Sequence, residues 1–263
     1  PRAILSDEVG LGKTVEAGLI YAGLRATGKA NSVLIIVPDN LVHQWTLELY
    51  SKFGDLFTVL TNERCGHEQK SQGLSPFEAN QKIICSLDLF LNSLQRCQQA
   101  CERNWDMVII DEAHNFSWDT DNKSPQWLLA SNLSKQCESL LLLTATPRQK
   151  GLSTFYGLLK LIDPQKYTCF REFLALVDKY ADISQYANII HETNNLPLEI
   201  KNLLESALPT NTNLHKLLNT KPINIEKILN ILVQSSALGS YYFRNRRNKL
   251  KLNTKRTLIP IAL

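Results

Sequence analysis

The sequence predicts an α/β fold built on a parallel sheet with helices on both faces. Three observations lead there: short runs that are apolar on both faces recur along the chain, amphipathic helical stretches separate them, and the sharpest turn motifs follow the runs directly. Strands that are apolar throughout need cover on both sides, which helical crossovers supply. Right-handed crossovers then bring every strand's C-terminal end to one edge, where ligands bind.

Taken in order, Ala3, Ile4 and Leu5 form a short strand end. Residues 13–27 read as a helix with Val15, Leu19, Ile20 and Leu24 on one face and Gly28 as its stop. Residues 33–37 (VLIIV) are a strand ended by Pro38, and 41–53 are a helix presenting Leu41, Trp45, Leu49 and Phe53 at helical spacing. Residues 57–60 and 82–86 are two more strands, and 107–110 and 140–143 are the plainest buried strands in the chain. From 163 the character changes to a Leu- and Asn-rich segment with Pro197, Pro209 and Pro222, which predicts a mostly helical insertion. The expected organisation is a nucleotide-binding lobe over 1–162, the helical insertion over 163–240, and a basic segment with a final strand over 241–263.

Composition narrows the class. A hydrophobic fraction of 44% over 263 residues allows a large core and argues against disorder. Apolar runs are too short to predict a membrane span. The chain opens without a basic-plus-apolar leader, so no secretory signal is expected, and both of its edges read as cuts through a longer protein. The six cysteines lack C-x-x-C spacing; Cys97 and Cys101 lie one helical turn apart with nothing to complete a zinc set, so free thiols in a cytosolic protein are expected. The net charge of +4 is local: Arg244, Arg246, Arg247, Lys249, Lys251, Lys255 and Arg256 cluster without an acid among them, and the rest of the chain is net acidic. Such a patch suits phosphate or an acidic protein surface, with a solvated linker as the alternative.

Chemistry is concentrated at three strand ends. Asp7, Glu8, Val9, Gly10, Leu11, Gly12, Lys13 and Thr14 follow the first strand and open the first helix. A loop of this kind turns backbone N–H groups inward around a phosphate, with glycines permitting close approach. Lys13 is placed to reach the β- and γ-phosphates of ATP, and the Thr14 hydroxyl to bind Mg²⁺. Asp7 stands where the phosphate-loop pattern has its first glycine. Asp111, Glu112, Ala113 and His114 follow the strand at 107–110. A carboxylate there, Asp111, can hold Mg²⁺ directly or through water, and Glu112 can take a proton from an attacking water. Thr144 and Thr146, after the strand at 140–143, are small hydroxyl donors able to bridge the γ-phosphate region to its surroundings.

With these motifs in hand, the chain resembles the superfamily 2 helicase-like ATPases. DEVGLGKT, IIVPDNLVHQW, CSLDLF, DEAHNF and LLLTATP occur in that family's order. Asp at the first loop position is itself typical of the Swi/Snf-type branch. Within that branch the longer phrases DEVGLGKTVEAGLI, WDMVIIDEAHNFSW and FRNRRN resemble a bacterial ATPase associated with RNA polymerase. The motifs cover 2–150 densely and 241–263 loosely.

The resemblance implies a RecA-like lobe with a P-loop, one of two lobes that clasp ATP and Mg²⁺ and track along duplex DNA. It implies RNA polymerase as a partner, a bacterial cytoplasmic, nucleoid-associated setting, and a second RecA-like lobe elsewhere in the same protein. Residues 38–41 match the motif that grips the tracking strand, and residues 86–88 match another. Pro38, Asn40, Ser86, Arg246 and Arg247 are therefore the expected nucleic-acid contacts, through groups that touch phosphate without reading bases. Ordinary helix capping is the alternative for Asn40 and Ser86. His114 completes the DEAH pattern and, with Thr144 and Thr146, is expected to couple lobe movement; no second His stands at ligand spacing, so no metal role is assigned to it. The four tryptophans are base-stacking residues by type, but Trp45 lies on an apolar helix face and is expected in the core. Gln44 reads as a solvent-facing helix residue. Two other functions share these motifs: a restriction- or repair-type motor lobe, and a docking module with a vestigial nucleotide site.

Overall fold

A computed structural model describes residues 1–6, 12–145, 151–208, 211–220, 222–234 and 242–243. Its centre is one sheet of seven parallel strands: β1 (Arg2–Leu5), β2 (Val33–Val37), β3 (Thr58–Leu60), β4 (Lys82–Ser86), β5 (Trp105–Ile110), β6 (Cys137–Leu143) and β7 (Tyr242–Phe243), in the order β3-β4-β2-β5-β6-β1-β7. Register explains the apolar runs. Ile84, Ile35, Ile109, Leu141 and Ala3 are successive partners across the sheet and face one layer of helices. Their neighbours Ile83, Leu34, Val108, Leu140 and Ile4 face the opposite layer. Because successive strand residues point to opposite faces, only a doubly covered sheet can bury both sets.

Two helices cover the first face: α1 (Lys13–Ala26) and α2 (Val42–Phe53). The opposite face is covered by α3 (Asn62–Gln72), α4 (Pro76–Ala79), α5 (Leu87–Leu91), α6 (Leu94–Glu102), α7 (Pro125–Lys135) and α8 (Leu152–Ile162). Beyond them come α9 (Phe170–Thr193), α10 (Leu198–Ala207), α11 (Thr212–Asn219) and α12 (Ile225–Gln234). The segment expected to be a mostly helical insertion has most of its described residues in helices. It gathers its own apolar cluster around Ile183, Ile190, Leu204, Leu214 and Ile228. Among the described residues no helix is long and apolar enough to cross a membrane. The expected strand within 257–263 lies outside the described residues.

Two expectations change on contact with the structure. Helix α1 does not bury Leu19, which is 62% exposed; its inward face is Ala17, Gly18 and Tyr21. The cause is the α1–α2 packing: a Cβ on Gly18 would stand 2.3 Å from the Phe53 ring, so α1 lies close to α2 along its glycine side and turns Leu19 outward. The second helix starts later than the pattern suggests, because residues 39–41 form a separate turn of 3-10 helix before α2. The six cysteines are free, as expected.

Away from the strands' C-terminal edge, the buried Asp55 carboxylate, 3% exposed, receives the Tyr21 hydroxyl at 2.6 Å and pairs with Lys82 and Arg25. Burial alone would raise its pKa, but the hydrogen bonds from Lys82 and Tyr21 and the charges of Lys82 and Arg25 hold it below the usual carboxylate range. This cluster fastens α1, the α2–β3 joint and β4 together.

Candidate nucleotide site at the sheet edge

Backbone pairing brings the predicted motifs to one edge. The Asp111 N–H, just past β5, donates to the Ile36 carbonyl of β2 at 2.9 Å, and the Thr144 N–H, just past β6, donates to the carbonyl of Leu5 at the end of β1 at 3.0 Å. Gly12 caps α1 at φ 88°, a left-handed conformation that disfavours a side chain, and Lys13 and Thr14 form the first helical turn. Lys13, opening α1 after β1, and Asp111, directly after β5, both follow strands of the one parallel sheet at their C-terminal ends. Asp7, Glu8, Val9, Gly10 and Leu11 lie outside the described residues, as do Thr146, Arg246 and Arg247.

Asp111 is 8% exposed and firmly oriented. Its Oδ2 accepts the Trp45 indole N–H at 3.0 Å, and its Oδ1 accepts the Glu112 backbone N–H at 2.8 Å. Burial pushes its pKa above the usual carboxylate range; those two hydrogen bonds and the charges of Lys13 and His114 oppose the rise. A cation at the edge would draw it back toward the ionised form.

Glu112 takes φ 48°, a left-handed conformation costing about 1–2 kcal/mol for a residue with a Cβ. The reversal turns the chain sharply at the end of β5, where strain of this kind is a recurring feature of functional sites. The Glu112 Oε2 lies 3.1 Å from His114 Nδ1, and the same nitrogen lies 3.2 Å from Thr144 Oγ1. The ends of β5 and β6 are thereby tied through one imidazole.

The predicted nucleic-acid turn opens onto the same place. A cavity of 410 Å³ is lined by Pro38, Asp39 and Asn40 on one side and by Asp111, Glu112 and Asn115 on the other. A neighbouring cavity of 240 Å³ takes in Asp39, Thr61, Ser86 and Asp88. Neither Asn40 nor Ser86 acts as an ordinary side-chain cap. The capping residue of α2 is Leu41, and Ser86, at the cap of α5, makes no side-chain capping bond.

The donor set suits magnesium. Thr14 and Asp111 offer hard oxygen ligands, and among the described residues no three His, Cys, Asp or Glu side chains form a metal cage. An ion held by one carboxylate and one hydroxyl must take its remaining ligands from phosphate and water, as Mg²⁺ does in nucleotide sites.

The tryptophans divide by environment. Trp45 is core, as expected, with the added role of donor to Asp111, which its apolar helix face did not announce. Trp105, Trp118 and Trp127 are also buried; Trp118 and Trp127 pack with Tyr156 and Phe170 under α8 and α9, so none of the four is a stacking platform. Gln44 is exposed and donates to Glu48. Asn115, lining the larger cavity, was not singled out in the sequence, although its position immediately after the DEAH box was available as a signal.

A family profile described as the SNF2-related domain matches residues 2–258. The chain belongs to the SNF2-related family. Among its relatives are the RNA polymerase-associated protein RapA of Vibrio campbellii, 33% identical over an alignment of 273 residues that takes in 100% of this chain and 28% of the relative. RapA of Vibrio cholerae is 34% identical over 259 residues, 95% of this chain and 27% of the relative. The chain therefore spans little more than a quarter of these proteins. Two structures of the Sulfolobus solfataricus SWI2/SNF2 ATPase core share its fold. The core in complex with dsDNA has TM-score 0.53 and 17% identity, covering 79% of this chain and 52% of that one. The core domain has TM-score 0.54 and 16% identity, covering 93% and 39%. The parallel sheet with its two helical layers is thus a RecA-like lobe of the SNF2 type, related to RapA.

Proposed function

We propose that this chain is the ATP-binding lobe of a duplex-tracking, DNA-dependent ATPase that remodels or recycles RNA polymerase. What supports the reading is that Lys13, after β1, and Asp111, after β5, both follow C-terminal strand ends of one parallel sheet, with Glu112, His114 and Thr144 in contact at the ends of β5 and β6. A triphosphate with its metal needs a cation and a carboxylate at such an edge.

In this reading residues 7–12 wrap the phosphates, Lys13 pairs with the β- and γ-phosphates, and Thr14 and Asp111 hold Mg²⁺. Bound magnesium neutralises charge that builds on the phosphate oxygens during transfer. Glu112 orients the attacking water and accepts its proton. His114 and Thr144 relay the state of the site across β5 and β6. Pro38, Asn40 and Ser86 face the DNA backbone. Asp39 and Asp88 line the same cavities. Attraction there must come from backbone N–H groups and from the cationic run 244–256, including Arg246 and Arg247.

The lobe covers residues 1–162, the helical insertion 163–240, and 241–263 leads toward a second RecA-like lobe in the full-length protein. That lobe would supply an arginine finger worth about 10³–10⁵ in rate, so the 263 residues alone should turn over very slowly. The protein acts in the bacterial cytoplasm on the nucleoid. The association of RapA with RNA polymerase supports the partner, and the dsDNA in the Sulfolobus complex supports the track.

The decisive experiment measures ATP hydrolysis by the full-length parent with and without duplex DNA. Duplex-stimulated turnover is expected, and a protein idle in both conditions would end the motor reading. Tagged parent should retain RNA polymerase from cell extract; retention of a restriction or repair complex in its place would keep the motor and change its partner.

A further inference from the structure

We infer that Trp45 is a positioning residue for the Asp111 carboxylate, linking the helix that follows the 38–41 turn directly to the nucleotide edge. The inference deepens the proposed function and rests on it, because it takes Asp111 to be the magnesium carboxylate.

The geometry is specific. The indole N–H of Trp45 reaches Asp111 Oδ2 at 3.0 Å, while Oδ1 is held at 2.8 Å by the Glu112 N–H. Each carboxylate oxygen thus has one internal donor, which fixes the rotation of the group and leaves its remaining lone pairs for an ion. The donor itself cannot wander. Trp45 is 1% exposed and packs in the cluster with Val37, Leu49, Ile109 and Leu143. Ligating carboxylates are commonly oriented by such outer hydrogen bonds, and losing one weakens metal binding about 10- to 100-fold.

Its position in the chain gives the bond a second consequence. Helix α2 begins immediately after the Asp39–Leu41 turn, and that turn shares a cavity with Asp111 and Glu112. A shift of α2 by about 1 Å would stretch the Trp45 bond beyond useful length or pull the carboxylate with it. DNA at the turn and metal-nucleotide at the edge therefore act on one rigid connection. If nucleotide binding raises duplex affinity through it by some factor, duplex binding raises nucleotide affinity by that same factor.

The test uses the full-length parent, with Mn²⁺ and a non-hydrolysable ATP analogue as the probe, read by electron paramagnetic resonance. Trp45→Phe should weaken Mn²⁺ binding about tenfold and reduce the gain in duplex affinity that the analogue confers. Trp127→Phe is the control. It removes another buried indole donor, to the Gly157 carbonyl at 3.0 Å, in the core on the opposite face of the sheet from Trp45. It should lower the melting temperature without changing Mn²⁺ binding. Should Trp45→Phe fold poorly, a benzothiophene analogue of tryptophan at position 45 keeps the ring shape and removes only the N–H. Parent-like Mn²⁺ binding by these position-45 proteins, with melting lowered as in the control, would make Trp45 a core residue and nothing more. Parent-like Mn²⁺ binding by Asp111→Asn would instead overturn the proposed function itself.

Discussion

His114 Nδ1 stands 3.2 Å from Thr144 Oγ1, so the residues that follow two neighbouring strands share one polar contact. The same nitrogen lies 3.1 Å from the Glu112 carboxylate. A change at Glu112 can therefore be felt at the end of β6. His114→Ala in the full-length protein should leave nucleotide affinity unchanged and lower duplex-stimulated ATPase about tenfold, within the range of ordinary coupling energies. Steady-state hydrolysis with and without DNA, beside nucleotide binding by calorimetry, checks it. Equal losses in binding and turnover would make His114 a support for the fold.

Lys13 and Glu112 should fail in different ways. In the proposed function Lys13→Ala removes the cation for the phosphates, and nucleotide binding should be lost along with hydrolysis. Glu112→Gln keeps shape and removes the proposed base, so ATP should remain bound while turnover falls by about 10²–10⁴. A filter-binding assay for retained ATP, run with single-turnover kinetics, separates the two. Glu112→Gln hydrolysing at the parent's rate would remove Glu112 from the chemistry.

The Asp55 cluster predicts a pH-dependent contribution to stability. The folded-state pKa of Asp55 is depressed, so its stabilisation is complete above the unfolded carboxylate pKa and is lost as pH falls through the lower folded value. Asp55→Asn should cost about 2–3 kcal/mol near neutrality, since charged hydrogen bonds to Tyr21 and Lys82 are lost. Arg25 is half exposed and adds little. Urea titrations of parent and variant at neutral and acid pH should show the gap closing as pH drops below the carboxylate range. A constant gap would assign the loss to packing.

Gly157 tests how tightly α8 is seated. A Cβ there would lie 2.4 Å from Trp118 Cβ and 2.9 Å from Trp118 Cγ. Those atoms sit close to the main chain and cannot swing away. Gly157→Ala, which in an open helix would stabilise, should here cost about 1–3 kcal/mol. Thermal melting decides it, and a rise in melting temperature would show that the Trp118 packing gives way.

The sheet was legible because Val33–Val37 and Trp105–Ile110 are buried on both faces, a pattern that admits few other folds. The Asp111 edge was legible because a polar turn directly after such a strand has only one place to go. The short helices between β3 and β5 were hidden. Helix α3 is polar over most of its length, and α4 has only four residues, too few to show a period. Leu19 misled because a helix packed through Gly18 buries its small residues and turns its large one outward. The Trp45 donor was invisible for a different reason. Apolar periodicity locates the ring but says nothing of where its one polar atom points.

Helix α9 carries Phe170, Phe173 and Val177 into the packing beneath the sheet, and Ile183 and Ile190 into the separate helical cluster. Its 24 residues make a rod about 36 Å long at 1.5 Å per residue. Pivoted at the Phe173 end by about 10°, such a rod sweeps its tip through roughly 6 Å. Small adjustments in that packing would thus emerge at the far end as a displacement the length of a side chain.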